Sequence, residues 1–174
     1  MTTTAKVTLS DGNRTFAIEV PAHSLAYLIA SLPDSAERVE VSDFLAEHHD
    51  FAVRLAVAGL ENLSTTAIER LAVDSSLSVV KQLLKSKATR PKLTSQQVLA
   101  IAQRDPELAG FVAATIEDFS LDDDALLSCL ESHPDTHVRA KLAGNPFAGN
   151  AVLRRIAAND VDAKVRETAA EMLT

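Results

Sequence analysis

Residues 133–146 read HPDTHVRAKLAGNP, and residues 48–61 read HHDFAVRLAVAGLE. Laying the earlier stretch on the later one places Leu45 on Leu130, His48 on His133, Asp50 on Asp135, Val53 on Val138 and Arg54 on Arg139 without a gap. The register continues downstream, with Ala58 and Gly59 on Ala143 and Gly144, Arg70 on Arg155 and Ala72 on Ala157. A shorter copy, NDVDAKVRETAAEML, follows the second stretch and sets Asp162, Val165 and Arg166 on the same template. A chain that restates one pattern is solving one packing problem repeatedly, as stacked helical repeats do.

The offset from His48 to His133 is too long for a single supersecondary unit, so degenerate copies are expected between the clear ones. LSVVKQLLKS puts Val79 on the valine position of Val53, and DPELAGFVAAT brings Gly110 or Phe111 to it one unit further on. A second half-unit repeats more cleanly, in LSTTAIERLA from Leu63, LTSQQVLAIA from Leu93, LDDDALLSCL from Leu121 and AGNAVLRRIA from Ala148, which are nearly evenly spaced. Ser64, Thr94, Asp122 or Gly149 opens each, and the oxygens of the first three suit a helix N-cap. Ile68 with Leu71 and Ala72, or Val98 with Ile101 and Ala102, then gives an i, i+3, i+4 apolar stripe. Asp50 or Asp135 caps the first half-unit, and Gly59 or Gly144 is expected to end it in the left-handed conformation. One unit is therefore two short helices, and about four and a half units fill residues 43–174. In the last helix Val165, Ala169 and Met172 are expected to face the preceding layer, with Lys164, Glu167 and Glu171 toward water.

The pattern LAxxxDxxVRxxxAGNP…LxxIAxND, clearest from Leu130 to Arg166 and weak from Ser75 to Phe119, resembles the leucine-rich repeat variant family, bacterial relatives of HEAT-type helical repeats. The resemblance implies a right-handed α-solenoid in which each α-helix pairs with a shorter, often 3₁₀, helix. It also implies an interaction scaffold, because such repeats mostly serve as binding surfaces. The family's founding example carries an iron–sulfur cluster on an N-terminal cysteine cluster; this chain has one cysteine, so that chemistry does not carry over.

Residues 1–42 do not fit the repeat. Phe16, Ile18 and Val20 alternate with Thr15, Ala17 and Glu19 behind the turn sequence SDGN, which predicts a β-hairpin. Leu25, Leu28, Ile29 and Leu32 share a helical face that Pro33 stops. ERVEV at 37–41 is expected to add a third strand. The sequence thus predicts a mostly α protein, with a small α+β cap over residues 1–42 and a solenoid over 43–174. The cap either shields the first apolar layer or offers an edge strand to a partner.

Composition excludes more than it identifies. At 174 residues, 47% of them hydrophobic, the chain is long enough to bury a core, and its net charge of −7 gives no long-range attraction to nucleic acid. The single Cys129 allows no internal disulfide and reads as a buried, inert thiol. No apolar leader or membrane-length run occurs, so a cytoplasmic protein without membrane contact is expected. Gly-rich phosphate loops, G-x-S-x-G, H-E-x-x-H and C-x-x-C are all missing, so neither an enzyme nor a cofactor is expected. His133 and His137 stand four apart, but Pro134 and the Asp135 cap put His133 ahead of the helix, which argues against a shared metal. Asp50/Arg54, Asp135/Arg139 and Asp162/Arg166 recur at i, i+4; a pair repeated in every layer suits an inter-repeat hydrogen-bond ladder better than catalysis.

Charge segregation is the main departure from a uniform scaffold. Lys81, Lys85, Lys87, Arg90, Lys92 and Arg104 fall in an acid-free stretch from 75 to 104. From 105 to 135, Glu117, Asp118, Asp122, Asp123 and Asp124 belong to a stretch with no lysine or arginine. Solvated loops and helix N-termini account for this in one reading. In the other, it is a bipolar surface that orients a charged partner or drives head-to-tail self-association. Lys81, Lys85, Lys87, Arg90, Lys92, Glu117, Asp118, Asp122, Asp123 and Asp124 are accordingly the candidate protein-binding residues. Nucleic-acid binding through the basic residues from Lys81 to Arg104 is the alternative.

Overall fold

The structure, a computed structural model, describes residues 4–10, 12–21, 23–31, 35–119 and 124–174. Its contacts divide into two compact units, Met1–Thr89 and Arg90–Thr174.

The first unit begins with the expected hairpin. β1 (Thr4–Ser10) and β2 (Thr15–Pro21) pair antiparallel, with Val7 opposite Ile18 and Leu9 opposite Phe16. The two-residue period puts these four side chains on one face, where Leu9, Phe16 and Ile18 remain about half exposed. α1 (Ser24–Ala30) follows and buries Ile29; Leu32 and Pro33, its expected end, lie outside the described residues.

The third strand expected at 37–41 is instead part of a helix, α2 (Ala36–Leu45). Ser35 Oγ accepts the Arg38 N–H at 3.2 Å, capping the first turn, and Glu37 sits against the positive end of the helix. Val39 and Val41, whose alternation suggested a strand, stay exposed, while Ser42 and Leu45 turn inward. Three alternating residues are too few to decide between the two periods.

α3 (Phe51–Ala58), α4 (Thr65–Ala72) and α5 (Leu77–Lys85) complete the unit. α3 lies against α5 and α2 against α4, while α1 covers α2 and α3. Their shared core includes Val53, Val57, Ile68, Leu71, Val79 and Leu83, all essentially sealed from solvent. Each such side chain contributes about 1.5–3 kcal/mol by leaving water.

The second unit holds α6 (Ser95–Ala102), α7 (Pro106–Ala114), α8 (Asp124–Glu131), α9 (Thr136–Ala143), α10 (Asn150–Asn159) and α11 (Ala163–Glu171). Short 3₁₀ turns span Arg90–Lys92, Ile116–Asp118 and Pro146–Ala148. α7, α9 and α11 lie side by side in one row, and α6, α8 and α10 form a second row against it. Ser64 and Thr94 cap α4 and α6 as their positions predict, Thr94 completing a capping box with Gln97. Asp122, expected to cap α8, lies outside the described residues.

α3, α5, α7, α9 and α11 start from Asp50, Ser76, Asp105, Asp135 and Asp162. Three residues after each start comes Val53, Val79, Leu108, Val138 or Val165, none more than 1% exposed. In α7, Leu108 therefore takes the valine position expected of Gly110 or Phe111. Gly59 and Gly144 do not reverse the chain; both have φ near −87°. Gly149, which opens α10, does take positive φ, at 85°. Met172 is 41% exposed rather than inward, because α11 ends at Glu171 just before it. Cys129 is half-buried: Leu126 and Leu130 occupy the inner face of α8 and leave it on the flank.

Candidate functional site

The recurring acids and arginines do not pair at i, i+4. Asp50 and Asp135 accept backbone N–H groups of Ala52 and His137 as helix caps, at 2.9 and 2.8 Å. Arg54 instead reaches forward to Asp74, Nε to Oδ2 at 2.5 Å and Nη2 to Oδ1 at 3.1 Å. Arg139 does the same with Asp160, at 2.8 and 3.2 Å. Each guanidinium also ties down its own cap loop. Arg54 Nη1 donates to the carbonyls of His48 and His49, Arg139 Nη1 to those of His133 and Pro134, and Arg166 Nη1 to that of Asp160. Asp74 and Asp160 stand just ahead of α5 and α11, so each clamp joins one first helix to the start of the next.

These forked pairs are largely withdrawn from water, with side-chain exposures of 15% and 4% for Arg54 and Asp74, and 9% and 3% for Arg139 and Asp160. Burial alone raises the Asp160 carboxyl pKa. The hydrogen bonds from Arg139 and the Asp162 N–H, with the charges of Arg139 and Arg166, outweigh it and hold the group below its ordinary value. The arginines are held more firmly protonated by their aspartates, against the opposing effect of burial.

The histidines have a role that composition hid. His48 Nδ1 accepts the Asp50 N–H and His133 Nδ1 the Asp135 N–H, both at 3.1 Å. Asp74 Oδ1 and Asp160 Oδ1 accept the N–H groups of Ser76 and Asp162 in the same way, both at 2.8 Å. In all four loops the residue two before the helix start holds that residue's N–H. The repeated spacing H-x-D, D-x-S, D-x-D was the available signal.

The charged candidates fall on both units. In α5, Val79, Val80, Leu83 and Leu84 take the buried side, leaving Lys81 half-exposed and Lys85 exposed. Lys87 is exposed two residues on. Lys85 and Lys87, with Glu61, Gln82, Gly59 and Ser86, line a recess of about 480 Å³. An apolar recess of about 520 Å³ shares Gly59 and Gln82 with it and is walled by Tyr27, Ala52, Leu55, Ala56 and Leu60. A Cβ on Gly59 would come within 2.9 Å of Gln82 Nε2, so the glycine makes room for the Gln82 side chain, which lines both recesses.

In the second unit the opposite charges meet each other. Arg90 is only 6% exposed; its guanidinium bonds the Asp118 carboxylate and lies 5.0 Å from the centre of the Phe111 ring. Glu117 accepts from Asn145 Nδ2 at 3.0 Å, and the same amide donates to the Ala113 carbonyl. Lys92 is exposed. Asp124 opens α8 at the mouth of a cleft of about 620 Å³, where Arg155 forks onto Glu131. Asp122 and Asp123 lie outside the described residues.

Among the described residues no group of three or more His, Cys, Asp or Glu side chains could hold a metal ion, and no helix is long and apolar enough to cross a membrane. Every buried side-chain nitrogen or oxygen described has a hydrogen-bond partner. The geometry offers contact surface: two joined recesses on the first unit and a charged cleft on the second. Compared with protein-family models, with curated proteins and with solved structures, the chain matches none.

Proposed function

We propose that this chain is a non-catalytic protein-binding module, a short right-handed α-solenoid of the leucine-rich repeat variant type behind an N-terminal cap. The paired rows of helices in the second unit, the common start of α3, α5, α7, α9 and α11, and the Arg–Asp clamps at equivalent positions support the solenoid reading. The single observation that carries the function is the distribution of exposed apolar side chains. Of fourteen large ones among the described residues, eleven belong to the first unit, including Tyr27 and Phe44, each 71% exposed. Scattered exposure needs no cause, but concentration on one unit is what a binding surface requires.

The test uses the purified chain as bait in lysate of its native host, beside Tyr27→Ser, Phe44→Ser and Lys81/Lys85/Lys87→Glu variants. The expected result is a specific protein retained at high salt and lost on the apolar variants, with the charge variant slowing its capture. Equal background on all baits, or a copurifying cofactor with a turnover, refutes the reading.

A further inference from the structure

We infer that the joined recesses of the first unit take a short partner segment in which a bulky apolar side chain stands about one to three residues from carboxylates. The inference rests on the protein-binding reading and adds the chemistry of the partner. Ala52, Leu55, Ala56 and Leu60 make one recess mainly apolar, with His23 and the exposed Tyr27 also lining it. The other recess is bounded by Lys85 and Lys87 against the single acid Glu61, so its balance is positive. A basic segment is repelled there, a wholly apolar one makes no use of the positive recess, and a wholly acidic one leaves the apolar recess to water.

Gln82 and Gly59 define how the two requirements are joined. They line both recesses, and Gln82 stands just short of a helical turn before Lys85, an offset of about 5 Å along α5. An extended segment covers that distance in about two residues, so the apolar anchor and the carboxylate stand about one to three residues apart. The Gln82 amide, which packs over Gly59, offers a donor and an acceptor to the backbone between them.

Fluorescence anisotropy on the full chain tests this with two labelled synthetic octapeptides that carry one phenylalanine with two glutamates after it or before it. The controls replace the glutamates by lysines, or the phenylalanine by serine, and a single-stranded oligonucleotide serves as a polyanion without an anchor. The expected result is binding at least tenfold tighter than every control. Lys85→Glu/Lys87→Glu should reverse the preference toward the lysine peptide. Ala52→Gln, a good helix former that fills the apolar recess, should abolish binding of both peptides with an unchanged circular dichroism spectrum. No peptide binding, equal binding of the oligonucleotide, or binding indifferent to both variants overturns the inference. Capture of the same lysate protein by wild type and both variants also overturns this site while leaving the protein-binding reading intact. Failure of wild type to capture any protein strikes that reading itself.

Discussion

Replacing Arg139 by methionine removes a charge but keeps an unbranched stem, so it isolates what the guanidinium does. That group makes two hydrogen bonds to the Asp160 carboxylate and two to the carbonyls of His133 and Pro134. Without it, the Asp160 side chain, 3% exposed, keeps only the Asp162 N–H among these partners. Stripping one member from a buried pair costs about 3–5 kcal/mol, against a total stability of about 5–15 kcal/mol. With a urea m-value of about 2 kcal/mol/M, a loss of about 4 kcal/mol lowers the unfolding midpoint by about 2 M. Arg155→Met is the matched control. Its pair with Glu131 is also forked, but the side chains are 52% and 22% exposed, so screening by water leaves it a much smaller effect than at Arg139. Hydrogen exchange should show the extra opening in Arg139→Met at α9 and the 160–162 loop. A midpoint shift below about 0.5 M, or equal shifts for the two variants, would refute the clamp as a support of the fold.

Three further outcomes are expected. Asp160 has a depressed pKa in the folded state, so its contribution is present above the ordinary value of 3.8 and is lost as pH falls through the lower folded one; acid denaturation followed by circular dichroism should show this loss, and Arg139→Met should remove it. Gly149→Ala should cost about 1–3 kcal/mol from backbone strain alone, since nothing lies within 4 Å of the added Cβ, whereas Gly59→Ala, at negative φ and with the movable tip of Gln82 as its one contact under 3.4 Å, should cost less in the same thermal melts. His133→Asn keeps an acceptor for the Asp135 N–H and should stay within about 0.5 kcal/mol of wild type, while His133→Ala should lose about 1 kcal/mol; equal losses in urea titrations would deny the histidine its capping role.

The sequence was most legible where local chemistry and periodicity agree. Asp50, Ser64, Thr94 and Asp135 cap the helices their positions predict, because a cap is a contact between residues two or three apart. ERVEV was misread because its short alternation fits a strand as well as a helix, and the Ser35 cap decided for the helix. The clamps were half legible. The recurrence of arginine was visible, but its acid was sought on the same helix, four residues away, whereas Asp74 and Asp160 lie 20 and 21 residues downstream. Of the segregated charges, Arg90 and Asp118 are 28 residues apart in sequence and bonded in the fold, a pairing that periodicity does not show. Nothing in the sequence singled out the apolar recess, because Ala52, Leu55 and Ala56 look like ordinary helix residues until α1 is placed beside α3.

The weakness of the middle copies has a physical explanation in the clamp. Four residues after the starts of α3, α5, α7, α9 and α11 stand Arg54, Val80, Ala109, Arg139 and Arg166. Two residues before the starts of α5, α7, α9 and α11 stand Asp74, Gln103, His133 and Asp160. Along the chain, the arginines 54 and 139 are followed by aspartates 74 and 160, while Val80 and Ala109 are followed by Gln103 and His133. In these four pairs donor and acceptor change together; a buried arginine without a carboxylate, or a buried carboxylate without its arginine, would strand a charge. Val80 and Ala109 are fully buried, so at those two positions an apolar side chain stands where the clamp has its guanidinium. The echo between His48 and His133 thus links two copies that carry the clamp, with two copies that lack it between them. At those positions the departure from the sequence pattern is an exchange of a charged pair for apolar and neutral side chains.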